Sequence, residues 1–201
     1  MARLEFVGQY WLRIVANRMA VALTFLQHLD GTGLRDCFDY WLSRRQGDRP
    51  PPKQSINPTA LPRSIMGDLF LYELTSDGRF KCRLAGSAIR RAFGKDPTGF
   101  HLDEIVDPTR VAERAALFHT ALKKELPVVY GGTLVEGEKV WMPFKRLLLP
   151  VADERGVNRF VFGMVIFPRL AITAPTGIAD ELTHEFAVWA SAADLAAVTN
   201  P

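Results

Sequence analysis

Leu4, Trp11, Ile14, Val15, Ala22, Phe25 and Leu29 share one broad face at helical spacing, so residues 3–29 read as a long amphipathic helix. "DGTG" at 30–33 ends it, because two glycines free the backbone to turn. A second helix follows in "LRDCFDYWLSRRQG". Leu34, Phe38, Trp41 and Leu42 lie on one side, and Arg44 and Arg45 stand where a helix C-terminus favours cations. "DRPPPKQ" then forbids regular structure for several residues, which puts the main domain boundary there.

From Ile65 the period of the pattern falls to two. "DLFLYELT" (68–75) and "RFKCRLAG" (79–86) are strand candidates joined at Asp77-Gly78, a strong hairpin turn. Strict alternation on the second strand points Phe80, Cys82 and Leu84 one way. Arg79, Lys81 and Arg83 point the other way, as a solvated face that guards a sheet edge. Gly86 ends the strand, Gly94 ends a short helix, and Gly99 turns the chain. Asp107-Pro108 reads as an N-cap with proline at the first helical position, opening a helix to about Glu125 with Val111, Ala115, Phe118 and Leu122 as its buried stripe.

Three more strands are expected at 128–135, 139–151 and 159–167, with Pro143 at a bulge or a non-bonding edge position. The expected fold is therefore α+β: a five-stranded antiparallel sheet, helices inserted between strands two and three, and flanking helices at both ends. The last of these is "IADELTHEFAVWASAADLAAV", with Ile178, Leu182, Phe186, Trp189 and Ala193 on its apolar side. The chain divides into an N-terminal helical extension with its proline-rich linker (1–53), the α+β domain (54–167) and a helical tail (168–201).

Composition narrows the functional classes. A hydrophobic content of 48% and a mean hydropathy of +0.01 over 201 residues describe a soluble chain able to bury a core without staples. The net charge of +3 is too small to argue for nucleic acid. "MAVALTFL", the longest clean apolar run near the N-terminus, is too short to span a bilayer. Cys37 and Cys82 lie far apart without metal-ligand spacing, which fits a reducing cytoplasm. The apolar stripes of the terminal helices call for burial on the sheet's open face or on a second subunit, and a homodimer through these helices is expected.

Catalytic and nucleotide motifs fail on inspection. Gly94-Lys95 is followed by Asp96 where a phosphate loop needs Ser or Thr, and Ile89 stands where its first glycine belongs. GxSxG and HExxH are absent, and Cys82 is expected to face the core as a small hydrophobe. His28 and His184 fall on the terminal helices and His101 precedes a short helix. His119 borders the apolar stripe of the long helix, where it could ligate haem iron as the alternative cofactor reading. A small enzyme with an unrecognised pocket is a third reading.

"GDLFLYELTSDGRFKCRLAGSAIRRAFGKDPTGFHLDEIVDP", Gly67 to Pro108, resembles the first half of a bacterial family of small stand-alone PAS proteins. A Trp-containing helix and a proline-bearing segment ("INPTALP") precede the first strand. "RLAG" runs into a helix, "FGKDPTG" leads to a short "LDE" helix, and "LLLPVADERG" (147–156) resembles the family's late strand end. The resemblance covers about residues 35–167. It implies a non-catalytic sensory or interaction domain, often dimeric, whose output passes to a partner protein through flanking helices. It further implies space between sheet and inserted helices for a small apolar or amphipathic ligand. The flavin-photosensor motif "NCRFLQ" is absent, and the cofactor is left unassigned. Geometry suggests Cys82, Leu84, Phe93, Phe118, His119, Trp141 or Phe144, and Phe162 as the lining.

Overall fold

The computed structural model describes residues 23–106, 108–136, 139–167, 180–181 and 186–196. The first expected helix up to residue 22, the Asp107 cap, and much of the tail, including His184, lie outside the described residues. The elements are α1 (Phe25–Leu29), α2 (Gly33–Ser43), β1 (Leu69–Leu74), β2 (Phe80–Ala85), α3 (Ser87–Phe93), α4 (Pro108–Lys124), β3 (Val128–Glu136), β4 (Lys139–Ala152), β5 (Asn158–Ile166), β6 (Asp180–Glu181), β7 (Phe186–Trp189) and α5 (Ala192–Ala196). Short 3-10 turns at 53–55, 58–60, 63–68 and 102–104 fill the connections.

The five expected strands form an antiparallel sheet in the order β2-β1-β5-β4-β3, with α3 and α4 inserted between β2 and β3. The Asp77-Gly78 turn is as expected, Gly78 taking φ 81° and Thr75 N–H donating to the Arg79 carbonyl at 2.8 Å. Gly94 ends α3 at φ 66°, the left-handed conformation that glycine adopts without strain. Pro143 pairs with Thr133 of β3 but lies before Lys145, where the ladder with β5 begins, so its missing N–H costs that ladder nothing.

Both faces of the sheet are buried. On one, α3 and α4 cover Phe70, Tyr72, Phe80, Cys82, Tyr130, Phe144, Leu148 and Val161. On the other, Phe25, Leu29, Leu34, Phe38, Trp41 and Leu42 from α1 and α2 pack on Leu69, Val129, Leu147, Leu149, Val151, Phe162 and Met164. Trp41 is fully buried, and its indole Nε1 donates to the Pro150 carbonyl at 2.8 Å. The described N-terminal helices thus pack on the sheet itself. The proline-rich segment joins the sheet too, since Ala152 N–H donates to the Pro51 carbonyl at 3.0 Å.

Two expectations are corrected. The tail is not one helix. Its described part adds β6 and β7 to the outer edge of β3, giving a seven-stranded sheet, and among the described residues of the tail Ala192–Ala196 are helical. An open edge of β3 would leave a row of backbone groups unpaired, and "FAVW" has the β-branched and aromatic residues that suit pairing. Gly131 permits the close fit: the Phe186 ring occupies the space a Cβ would need, and it stacks on His28 with centroids 4.4 Å apart.

The second correction concerns Leu84. Leu71 pairs with Leu84, but the next residue, Tyr72, pairs with Cys82, so β2 carries an extra residue at Arg83. This bulge resets the alternation. Phe80, Cys82 and Ala85 face α3 and α4, while Leu84 joins Leu71 on the opposite face.

Trp41→Phe keeps an aromatic ring in place but leaves the Pro150 carbonyl without its buried donor. The expected loss is about 1–3 kcal/mol, read as a lower urea midpoint at unchanged m-value.

Candidate functional site

Cys82, Phe93, Phe118 and Phe144 converge in the core between the sheet and the inserted helices. The space among them is filled by aromatic rings in edge-on contact: Tyr72 on Phe118 at 5.3 Å, Phe80 on Phe118 at 5.2 Å and Phe70 on Tyr72 at 5.9 Å. His119 is exposed on α4, its ring against Phe80 of the edge strand at 4.7 Å. Trp141 belongs to β4, with its side chain outside the described residues.

This apolar core also holds two arginines. Arg146, in the middle of β4, is 2% exposed, and Arg114 of α4 is 5% exposed; among the described residues they are the buried charged side chains. The Arg146 guanidinium donates to the Tyr130 hydroxyl at 2.6 Å. It sits 5.2 Å from the Phe144 ring, 5.6 Å from Tyr130 and 5.8 Å from Phe70. Arg114 stands over Phe93 at 6.0 Å. Aromatic faces attract a guanidinium, and arginine stays charged at any physiological pH. Neither residue was among those singled out from the sequence, although the signal was there. Alternation along β4 puts Arg146 on the face of Phe144 and Leu148, and Arg114 lies four residues before Phe118 on the stripe of α4.

Leu84 and Phe162 line a different space. A cleft of about 510 Å³ opens on the far face of the sheet, bounded by Lys53, Ile56, Pro58, Leu71, Glu73, Arg83, Leu84, Phe160 and Phe162. The cations on the outward side of β2 are largely taken up in exposed ion pairs. Arg83 meets Glu73 at 2.6 Å, and Arg79 meets Asp103 at 2.9 Å and Glu104 at 3.3 Å. Those pairs hold the Asp103 and Glu104 carboxyls below their ordinary range, Asp103 chiefly through its hydrogen bond from Arg79 and Glu104 chiefly through the His101 amide.

Burial pushes the Cys82 thiol up to about 11 and raises Cys37 further still, so neither is a thiolate at neutral pH. No group of three or more His, Cys, Asp or Glu side chains suited to a metal ion occurs among the described residues. Haem held through His119 requires that imidazole to aim into a cavity with room for the macrocycle. His119 points to the exposed side beside an edge strand, and the adjoining Phe118, fully buried, occupies the core, so these residues do not fit haem.

With their thiols protonated and buried, Cys37 and Cys82 are expected to resist an aromatic disulfide reagent at pH 8 in the folded protein and to react fully in denaturant. The raised pKa of Cys82 contributes stability below the ordinary thiol pKa, and that contribution is lost as pH climbs through about 11. Cys82→Ala should accordingly flatten the fall in urea midpoint measured across that window.

No helix among the described residues is long and apolar enough to cross a membrane. No curated protein and no solved structure matches the chain. A family model described as a PAS domain matches residues 29–166, from the end of α1 through β5, and takes in the five-stranded sheet, both inserted helices and the buried arginines. That span is more than half of the 201 residues, and the chain belongs to the PAS domain family.

Proposed function

We propose that this chain is a non-catalytic sensory and interaction module of bacterial signal transduction, cytoplasmic and dimeric through its terminal segments. It takes a small amphipathic ligand between the sheet and the inserted helices and passes the change to a partner protein. The observation that carries the ligand part is Arg146, a charge held among aromatic rings in the interior of a sensory fold. A ligand site is mostly apolar with a few placed polar groups, and this core supplies both. Because the rings fill the core, occupation requires α3 and α4 to move outward. A ligand that binds only the parted arrangement shifts the population toward it, and that difference is what a partner reads.

Arg146→Met separates an anchoring role from a structural one. Replacing the cation with an apolar side chain of similar length relieves desolvation but leaves the buried Tyr130 hydroxyl without this donor, so a folded variant with a stability loss of about 1–3 kcal/mol is expected. Native mass spectrometry of protein purified from its own host should then show a retained small molecule in the wild type and none in the variant. Wild-type protein that carries no small molecule, or a variant that keeps it, sinks the ligand part.

The dimer has its own test. Phe25 and Leu29 belong to the core, so the informative truncation removes residues 1–22 and leaves α1 intact. Light scattering should report a dimer for the full chain and a monomer for the truncated one; a full-length monomer overturns this part.

A further inference from the structure

The cleft on the far face of the sheet is separated from the proposed helix-side site by the sheet itself. Its floor is apolar: Leu71 of β1, Leu84 of β2, and Phe160 and Phe162 of β5. Its wall is Ile56 and Pro58, from the segment that follows α2. A volume of about 510 Å³ lies within the roughly 300–1,000 Å³ of small-molecule sites. α2 packs chiefly over β4 and β5, and beside Leu71 and Leu84 the cleft is walled by Ile56 and Pro58 of the turns at 53–60.

Charge at the rim selects the occupant. Glu73 and Arg83 neutralise each other at 2.6 Å. The remaining charged group of this lining is Lys53, exposed, with its Nζ 5.6 Å from the Phe160 ring centroid and no carboxylate within ion-pair distance among the described residues. Its ammonium thus stands within reach of the Phe160 ring of the apolar floor. Asp153 and Glu154 line an adjoining recess of about 420 Å³ that shares Lys53, Glu73 and Phe160. There Asp153 accepts from the Arg155 and Val157 amides at 2.9 Å, and Arg155 and Arg159 stand with the two acids.

We propose that this cleft is a second ligand site, for a small monocarboxylate with an aliphatic body. The body lies on Leu71, Leu84, Phe160 and Phe162, and the carboxylate pairs with Lys53. An anion here gains a charge-assisted bond to an ammonium that pairs with no carboxylate among the described residues. A quaternary ammonium of the same chain length meets Lys53 as a like charge, and an alcohol gains only the apolar contact.

The test titrates full-length protein with decanoate, decanol and decyltrimethylammonium, each below its micelle concentration, by calorimetry and amide chemical-shift mapping. Decanoate is expected to shift Leu71, Leu84, Phe160 and Phe162 and to bind more tightly than the other two. Lys53→Glu should weaken decanoate by about tenfold or more while leaving decanol unchanged. Leu84→Gln should weaken both, and unaltered amide spectra elsewhere would show that each variant is folded. No decanoate binding, a Lys53→Glu variant that binds as tightly as wild type, or decyltrimethylammonium binding as well as decanoate overturns the proposal. Shifts confined to Phe93, Phe118 and Phe144 also overturn it while favouring the helix-side site, so the two readings fail separately.

Discussion

β4 has to be buried on both faces at once, and the architecture is the answer to that constraint. Its alternating residues supply Phe144, Arg146 and Leu148 to one core and Leu147, Leu149 and Val151 to the other. A single layer of helices would leave one of these sets in water, at roughly 1.5–3 kcal/mol for each large apolar side chain. α3 and α4 close one face, and α1 and α2 close the other. For that reason the N-terminal helices, which on sequence alone could have served a partner, fold back onto their own sheet. The Trp41 hydrogen bond to Pro150 ties this second layer to β4, satisfying a carbonyl where proline contributes no N–H.

The price of a two-faced strand is that a charge on either face is buried. Arg146 is held by the Tyr130 hydroxyl and three ring faces, contacts suited to a flat, weakly hydrated guanidinium and poorly suited to an ammonium. Taking a guanidinium out of water costs free energy that such contacts serve largely to offset. Its position among rings, on the side of the sheet covered by the inserted helices, is the reason to look for function there.

Much of this was legible in the sequence because it rests on local patterns. Strand positions followed from period-two alternation, the hairpin from Asp77-Gly78, the end of α3 from Gly94, and the inserted helices from their place between strands two and three. The pocket residues were legible only in part. Phe93, Phe118, Cys82 and Phe144 share the expected face, whereas the choice of aromatic and thiol side chains passed over Arg146 and Arg114, which the same periodicities put beside them. The tail misled for a different reason. "HEFAVWASAADLAAV" supports a helical stripe as readily as a short strand, and the decision came from the unpaired edge of β3, a partner more than 50 residues away.

Leu84 marks the sharper limit. Alternation along one strand carries no record of a residue gained against its neighbour, because a bulge is a property of the pair: Leu71 meets Leu84 while Tyr72 already meets Cys82. The consequence reaches beyond bookkeeping of faces. With Arg83 as the extra residue, Cys82 looks into the helix-side core and Leu84 into the far cleft, and Arg83 between them is turned outward to Glu73. The same irregularity therefore gives β2 a side chain in each space. β2 is bonded on one side to β1 and, among the described residues, on the other to the short Gly99–His101 segment, where Cys82 donates to the Phe100 carbonyl and accepts from the Gly99 amide. β4, by contrast, is paired along most of its length with β3 on one side and β5 on the other.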